Sequence, residues 1–240
     1  MFRLINIYLV SFIVLLSCSS TEIKTAKDAK KSYDYGMTLL EKGRYIQARE
    51  SFEEIKNKMP DTSFATLAEL RIADSFYEEE SYPEAISSYE VFENLHPGHA
   101  ERQYVIYRIA LSYVKSSPKA IDRDLEPSQK AIASFERLLK LFPNTKYKEK
   151  AEKEIIEARE KFIKREYYIG NFYYKRGKYK SCLERYEGII TASGEIKNDI
   201  TKKAMYELGV AYGKVGDKKN QERIQKLFKQ EYPKSKQVLN

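Results

Sequence analysis

Residues that carry chemistry are scarce in this sequence. Its 240 residues include no Trp, two Cys and two His. Two cysteines cannot supply a disulfide framework, so an apolar core must hold the fold. His96 and His99 bracket Pro97–Gly98, which keeps them off one helical face. No carboxylate or Cys partner is evident for them, and a metal site is not expected. Gly-rich phosphate loops, His-Glu-x-x-His helices, G-x-S-x-G elbows and nucleic-acid modules are all missing from the sequence. Nothing points to an enzyme or to a bound cofactor. Gly (10) and Pro (7) are also few and fall where helices would end, as an all-helical chain requires.

Aromatic residues, by contrast, make up 13% of the chain, with 20 Tyr, and hydrophobic residues make up 42%. That suffices for a substantial core built from large amphipathic side chains. The formal charge is +8. Lys and Glu read as interleaved along the helices, which implies a solvated basic surface; weak attraction to anionic lipid headgroups is the alternative.

The longest apolar run, Leu4 to Leu16, follows a short basic start, Met1–Phe2–Arg3, and precedes Ser17–Cys18. It is too short for a permanent bilayer span, which needs about twenty residues, but it suits the core of a signal peptide. Leu15–Leu16–Ser17–Cys18 resembles a bacterial lipobox, so residues 1–17 are expected to be removed and Cys18 to be lipidated. Several acyl chains anchor a protein where a single one is marginal. Residues 18–28 would then be a polar tether. Ser19 after the cysteine favours the outer membrane, with the chain on its periplasmic face.

A spaced set of residues begins at Gly36 and continues with Leu39, Gly43, Tyr45, Ala48, Phe52 and Pro60. Ala73, Phe76, Tyr82, Ala85, Tyr89 and Pro97 repeat it thirty-seven residues on, and Gly170, Tyr173, Gly177, Tyr179, Cys182 and Tyr186 repeat it again. Ala110, Tyr113, Ala131, Phe135 and Pro143 form a copy with an insertion. Leu208, Gly209, Tyr212, Gly216 and Pro233 form a degenerate one, with Gln221 and Gln225 at core positions of its second helix. Small residues let two helix backbones approach, aromatics fill the space around the contact, and proline ends the second helix. This is the skeleton of a tetratricopeptide repeat. The expected fold is an all-α superhelix of about five such repeats. Repeats one to three would occupy 29–143, and a long helix with repeats four and five 144–240.

Two stretches break the period. Residues 116–128 lengthen the turn inside repeat three and carry Pro118, Asp122–Arg123–Asp124 and Pro127. Residues 146–176 contain no Pro and read as one long helix before and into repeat four.

Stacked first helices create a concave face in such arrays. The residues expected to line it are Tyr33, Met37 and Leu40, then Leu70, Asp74 and Tyr77, then Tyr104, Tyr107 and Leu111. This wall is apolar and aromatic and lacks the Lys/Asn/Arg set of a carboxylate clamp. It favours an extended or hairpin peptide with aromatic side chains, although any one of these tyrosines could instead pack against the neighbouring helix.

Several segments together carry a more specific resemblance: Tyr104 to Leu111, the Asp122–Arg123–Asp124 loop, Phe142 to Tyr147, Glu166 to Tyr174, and Arg185 to Gly188. With the lipobox and both irregularities, the chain resembles the BamD (ComL) family, the lipoproteins of the bacterial β-barrel assembly machine. The resemblance implies a non-enzymatic protein that binds unfolded outer-membrane proteins through its amino-terminal repeats. It implies docking of the barrel-forming BamA subunit through the carboxy-terminal ones. Arg185 matches the family arginine that helps engage BamA, whereas its own neighbours Glu184 and Glu187 offer it an intrachain pair instead. The repeat-three loop is shorter here than in the best-known members. Other periplasmic repeat lipoproteins, pilotin-like or division coordinators, remain alternatives, as does a cell-wall enzyme on a repeat scaffold.

Overall fold

The computed structural model describes residues 26–118, 120, 125–194 and 196–235. Cys18, the signal segment and Asp122–Arg123–Asp124 lie outside the described residues. Among those described there are ten helices and no strand. They are α1 (26–41), α2 (Tyr45–Lys58), α3 (Ser63–Glu78), α4 (Tyr82–Leu95), α5 (Arg102–Ser116), α6 (Glu126–Leu141), α7 (Lys148–Tyr174), α8 (Tyr179–Ser193), α9 (Asp199–Val215) and α10 (Lys218–Glu231). The unbroken α7 runs for 27 residues, as the absence of proline from 146–176 leads one to expect.

The helices fall into two compact units, residues 1–115 and 116–240. The division lies in the long turn of repeat three, earlier than the proline that ends that repeat. Its second helix, α6, packs on α7 and so belongs to the second unit.

Within each unit the hairpins close by setting a small residue under an aromatic ring. A Cβ on Gly36 would stand 2.7 Å from the Phe52 ring, and one on Gly170 2.6 Å from the Tyr186 ring. Ala73, Ala85 and Tyr89 are all fully buried in one cluster of the first unit, and Cys182 takes the same buried place in the second. The last hairpin departs from expectation. Gln221 and Gln225 are only partly buried, and the core positions of α10 are Ile224 and Phe228. Gln221 lies instead over Gly213, where an added Cβ would meet its amide at 2.9 Å.

The turn between paired helices needs one left-handed residue. Gly43, Gly177 and Gly216 provide it with φ of 70°, 69° and 80°. In repeat two the same register falls on Glu80, at φ 65°. A side chain costs roughly 1–2 kcal/mol there, because Cβ crowds the following carbonyl.

Lys and acids interleave on several helices, as the pairs Lys58–Glu54, Lys130–Glu126 and Lys164–Glu160 show at 2.7, 2.9 and 3.6 Å, but one stretch departs from that expectation. Between Asp61 and Leu95, Arg71 is the lone cation among nine carboxylates. Flanking helices answer them: Arg49 reaches Glu79 at 2.8 Å, Arg102 reaches Glu93 at 3.2 Å and Arg108 reaches Glu78 at 2.7 Å. The excess of cations accumulates in the second unit, which holds 29 of the 43 Lys and Arg but 18 of the 35 Asp and Glu.

Candidate functional site

The expected groove residues of the first unit divide into three groups. Leu70 is completely buried among Ala73, Ala85, Tyr89, Phe92, Val105 and Ile109, so it is core and no part of a groove. Asp74 is also buried, at 4% exposure, and is fully engaged. Its Oδ1 accepts from the hydroxyls of Tyr89 at 2.5 Å and Tyr104 at 2.7 Å, and its Oδ2 accepts from Arg71. Tyr33, Met37, Leu40, Tyr77, Tyr104, Tyr107 and Leu111 are half-buried. Tyr33 leans on Phe52 and Phe64, with ring centroids 5.7 and 5.6 Å away, while its hydroxyl accepts from Arg71 Nε at 3.0 Å.

Two arginines organise this wall. Arg108 lays its guanidinium 3.6 Å from the centroid of Tyr77, donates to the Tyr89 hydroxyl at 3.0 Å and pairs with Glu78. Arg71 bridges Tyr33 and Asp74. Burial, with the Asp74 carboxylate next, pushes the Tyr89 and Tyr104 hydroxyls well above their ordinary range. They therefore stay protonated as donors. Sequence reasoning missed both arginines, although a signal existed: each stands two residues before the small residue of its repeat, Ala73 or Ala110.

The second unit repeats the device. Glu207, buried in α9, accepts from the hydroxyls of Tyr186 and, at 3.4 Å, Tyr167. Arg185 does not pair with Glu184 or Glu187. Its Nη1 sits 3.2 Å from Oε2 of Glu166 on α7, which is 4% exposed, while the arginine side chain stays 41% exposed. Glu187 is taken by Tyr212 at 2.7 Å and by Arg223. Lys161 ties the start of the repeat-three loop to α7 by donating to Ser117 Oγ at 3.1 Å and to the Pro118 carbonyl.

Among the described residues no group of three or more His, Cys, Asp or Glu converges. His96 has a partner that its sequence neighbourhood did not reveal, Glu69 on α3 at 2.7 Å. What these walls offer is half-exposed tyrosine faces whose charged neighbours are already neutralised.

Comparison with known proteins gives this geometry its context. Residues 25–227 match the sequence profile of YfiO, described as outer membrane lipoprotein. The chain belongs to this family. Among its relatives is "Outer membrane protein assembly factor BamD" of Rickettsia prowazekii, 28% identical over 236 residues, which are 98% of this chain and 93% of that one. The factor of the same name from Neisseria meningitidis serogroup A is 24% identical over 244 residues, covering 94% and 90%. Similar solved structures include MamA, with 17% identity over 86% of this chain and 92% of that one and a TM-score of 0.38. The TPR2AB domain of yeast Sti1 in complex with pHSP90 has 16% identity over 86% and 78%, and a TM-score of 0.45. The resemblance to the BamD family read from the sequence thus holds across nearly the whole chain. No described helix is long and apolar enough to cross a membrane.

Proposed function

We propose that this protein is an outer-membrane protein assembly factor: a lipid-anchored, non-catalytic scaffold on the periplasmic face of the outer membrane. The observation that carries the proposal is the family match together with relatives named as assembly factors over nine-tenths or more of both chains. In this reading Cys18 bears the lipid. The half-exposed wall around Tyr33, Met37, Tyr77, Tyr104 and Tyr107 holds segments of unfolded β-barrel proteins, with Asp74 and Leu70 fixing the helices behind it. The second unit docks a BamA-like barrel subunit, and Arg185 contributes the exposed part of its guanidinium.

Because Arg185 also neutralises the buried Glu166, replacing it alone confounds docking with folding. The informative pair is Glu166→Gln and Glu166→Gln/Arg185→Ala, which both lack the buried carboxylate that Arg185 and, at 3.8 Å, Arg165 neutralise, and so differ only at Arg185. Affinity capture from detergent-solubilised outer membranes should recover the barrel subunit with wild type and with Glu166→Gln, and lose it with the double variant. Recovery with the double variant would remove Arg185 from the docking face. Absence of any barrel subunit from the wild-type capture would overturn the assembly function itself.

A further inference from the structure

The surplus charge of the second unit is concentrated. Short connections make α7–α8, α8–α9 and α9–α10 antiparallel neighbours, so the α7–α8 and α9–α10 turns lie at the same end of this unit. The first turn presents Lys175, Arg176, Lys178 and Lys180, and the second presents Lys214, Lys218 and Lys219, all exposed. One carboxylate lies among them, Asp217, and Asn220 occupies it through its backbone and side-chain amides at 3.1 and 2.8 Å. None of these cations forms an ion pair among the described residues.

Helix stability explains only part of this placement. Lys175, the C-cap of α7, and Lys214, at the end of α9, favour their helix dipoles, but Lys178 is the N-cap of α8, and Lys180, Lys218 and Lys219 lie in the first turns of α8 and α10. Those are positive helix ends, where a carboxylate is favourable and a cation is not. Neither first turn contains an acid. At the rim, Phe172 is 46% exposed with the Arg176 guanidinium 3.6 Å from its ring centroid, and Tyr168, one turn earlier, is 65% exposed.

We propose that this end of the second unit is a membrane contact that takes anionic phospholipid headgroups, with Phe172 at headgroup depth. Unpaired cations edged by an aromatic ring are what an interfacial anchor requires. A lipid surface is at hand for a family described as outer membrane lipoproteins. Lysine dominates the patch, and lysine is depleted from protein–protein interfaces, which favours headgroups over an acidic protein face. The proposal does not depend on peptide binding or on a barrel subunit.

The test is cosedimentation of the unacylated chain from Ser19 onward with phosphatidylcholine vesicles, with and without phosphatidylglycerol. Binding should require phosphatidylglycerol and disappear at about 0.5 M salt, where screening is nearly complete. Each cation at such a surface contributes about fivefold, so Lys178→Glu/Lys180→Glu/Lys218→Glu/Lys219→Glu should weaken binding by at least about a hundredfold. The substitutions place acids at helix N-termini, so the melting temperature should hold or rise. Lys148→Glu/Lys150→Glu/Lys226→Glu/Lys229→Glu, with the same net charge, should retain most of the binding. Equal binding to phosphatidylcholine alone, retained binding in the turn variant, or equal loss in the control set would each overturn the proposal. Capture of an acidic protein through the turn lysines with no vesicle binding would also overturn it, in favour of a protein interface.

Discussion

Buried acid–tyrosine contacts are the residue-scale feature on which this fold depends. Asp74 satisfies Tyr89, Tyr104 and Arg71 at once, joining α3 to α4 and α5. Asp74→Ala should therefore cost about 3–5 kcal/mol, because it strands buried donors and a guanidinium. Asp74→Asn, which keeps an acceptor, should cost less, about 1–3 kcal/mol. Chemical denaturation of the two variants checks the order, and an unchanged midpoint in Asp74→Ala would dismiss the network. A second residue-scale effect depends on pH. Burial pushes the Cys182 thiol from its ordinary 9.0 up to about 11, and burial with the Glu187 hydrogen bond pushes Tyr212 from 10.0 up to about 12. The folded state holds these protons more tightly than the unfolded chain. Their contribution is complete below the ordinary values and is lost as pH rises toward the raised ones. Stability should thus begin to fall near pH 9, and Cys182→Ala should remove the first part of that fall, about 1 kcal/mol by pH 10. Denaturation midpoints from pH 7 to 11 give the readout. Leu70 and Asp74 looked like groove residues because a stacked first helix is packed on two sides. Spacing alone marks its inward arc without saying where core ends and groove begins.

At the scale of elements, the small-residue and aromatic skeleton made the hairpins legible, and the absence of Pro from 146–176 made the long α7 so. The skeleton worked because close helix approach admits few alternatives. Gly36→Ala and Gly170→Ala should each destabilise by about 1–3 kcal/mol, since the new methyl would overlap the Phe52 or Tyr186 ring. Intrinsic helix propensity alone predicts the opposite sign, a gain approaching 1 kcal/mol. Gly188 in α8 separates the two effects: an added Cβ there meets nothing within 4 Å, so Gly188→Ala should stabilise. Melting curves of the three variants decide whether packing or propensity governs each site. Glu80→Gly should likewise raise stability, by up to about 1 kcal/mol, by relieving its left-handed turn. A loss would mean that the side chain makes a contact worth more than the strain. The skeleton misled at α10, where core positions moved to Ile224 and Phe228. Helical periodicity allows the buried stripe to shift by one turn when two glutamines occupy the usual slots.

For the molecule as a whole, composition concealed what topology reveals. A net +8 suggested an evenly basic surface, yet the acids of repeat two are matched by arginines from the helices beside them, and the lysine surplus gathers at one end of the second unit. Such pairing between helices has no i,i+4 signature, so periodicity could not disclose it. The consequence is that, beside docking on a barrel subunit, two direct attachments to lipid are proposed, and they respond differently to salt. An acylated Cys18 holds through buried hydrocarbon and is insensitive to ionic strength. The lysine turns hold through fields that fade within about 10 Å at 0.1 M salt and about 3 Å at 1 M. Wild type should therefore stay with outer membranes through a high-salt wash. Cys18→Ala, exported behind a conventional cleavable signal, should remain partly membrane-bound at low salt and be released at high salt. Combining it with the four lysine-to-glutamate changes at 178, 180, 218 and 219 should lower retention at low salt to what docking on the barrel subunit alone provides. Fractionation followed by immunoblotting distinguishes the cases. Release of Cys18→Ala at low salt would leave the lipid as the sole membrane attachment. Retention through the high-salt wash would show that salt-resistant partner contacts hold the protein, or that the lipid is attached elsewhere.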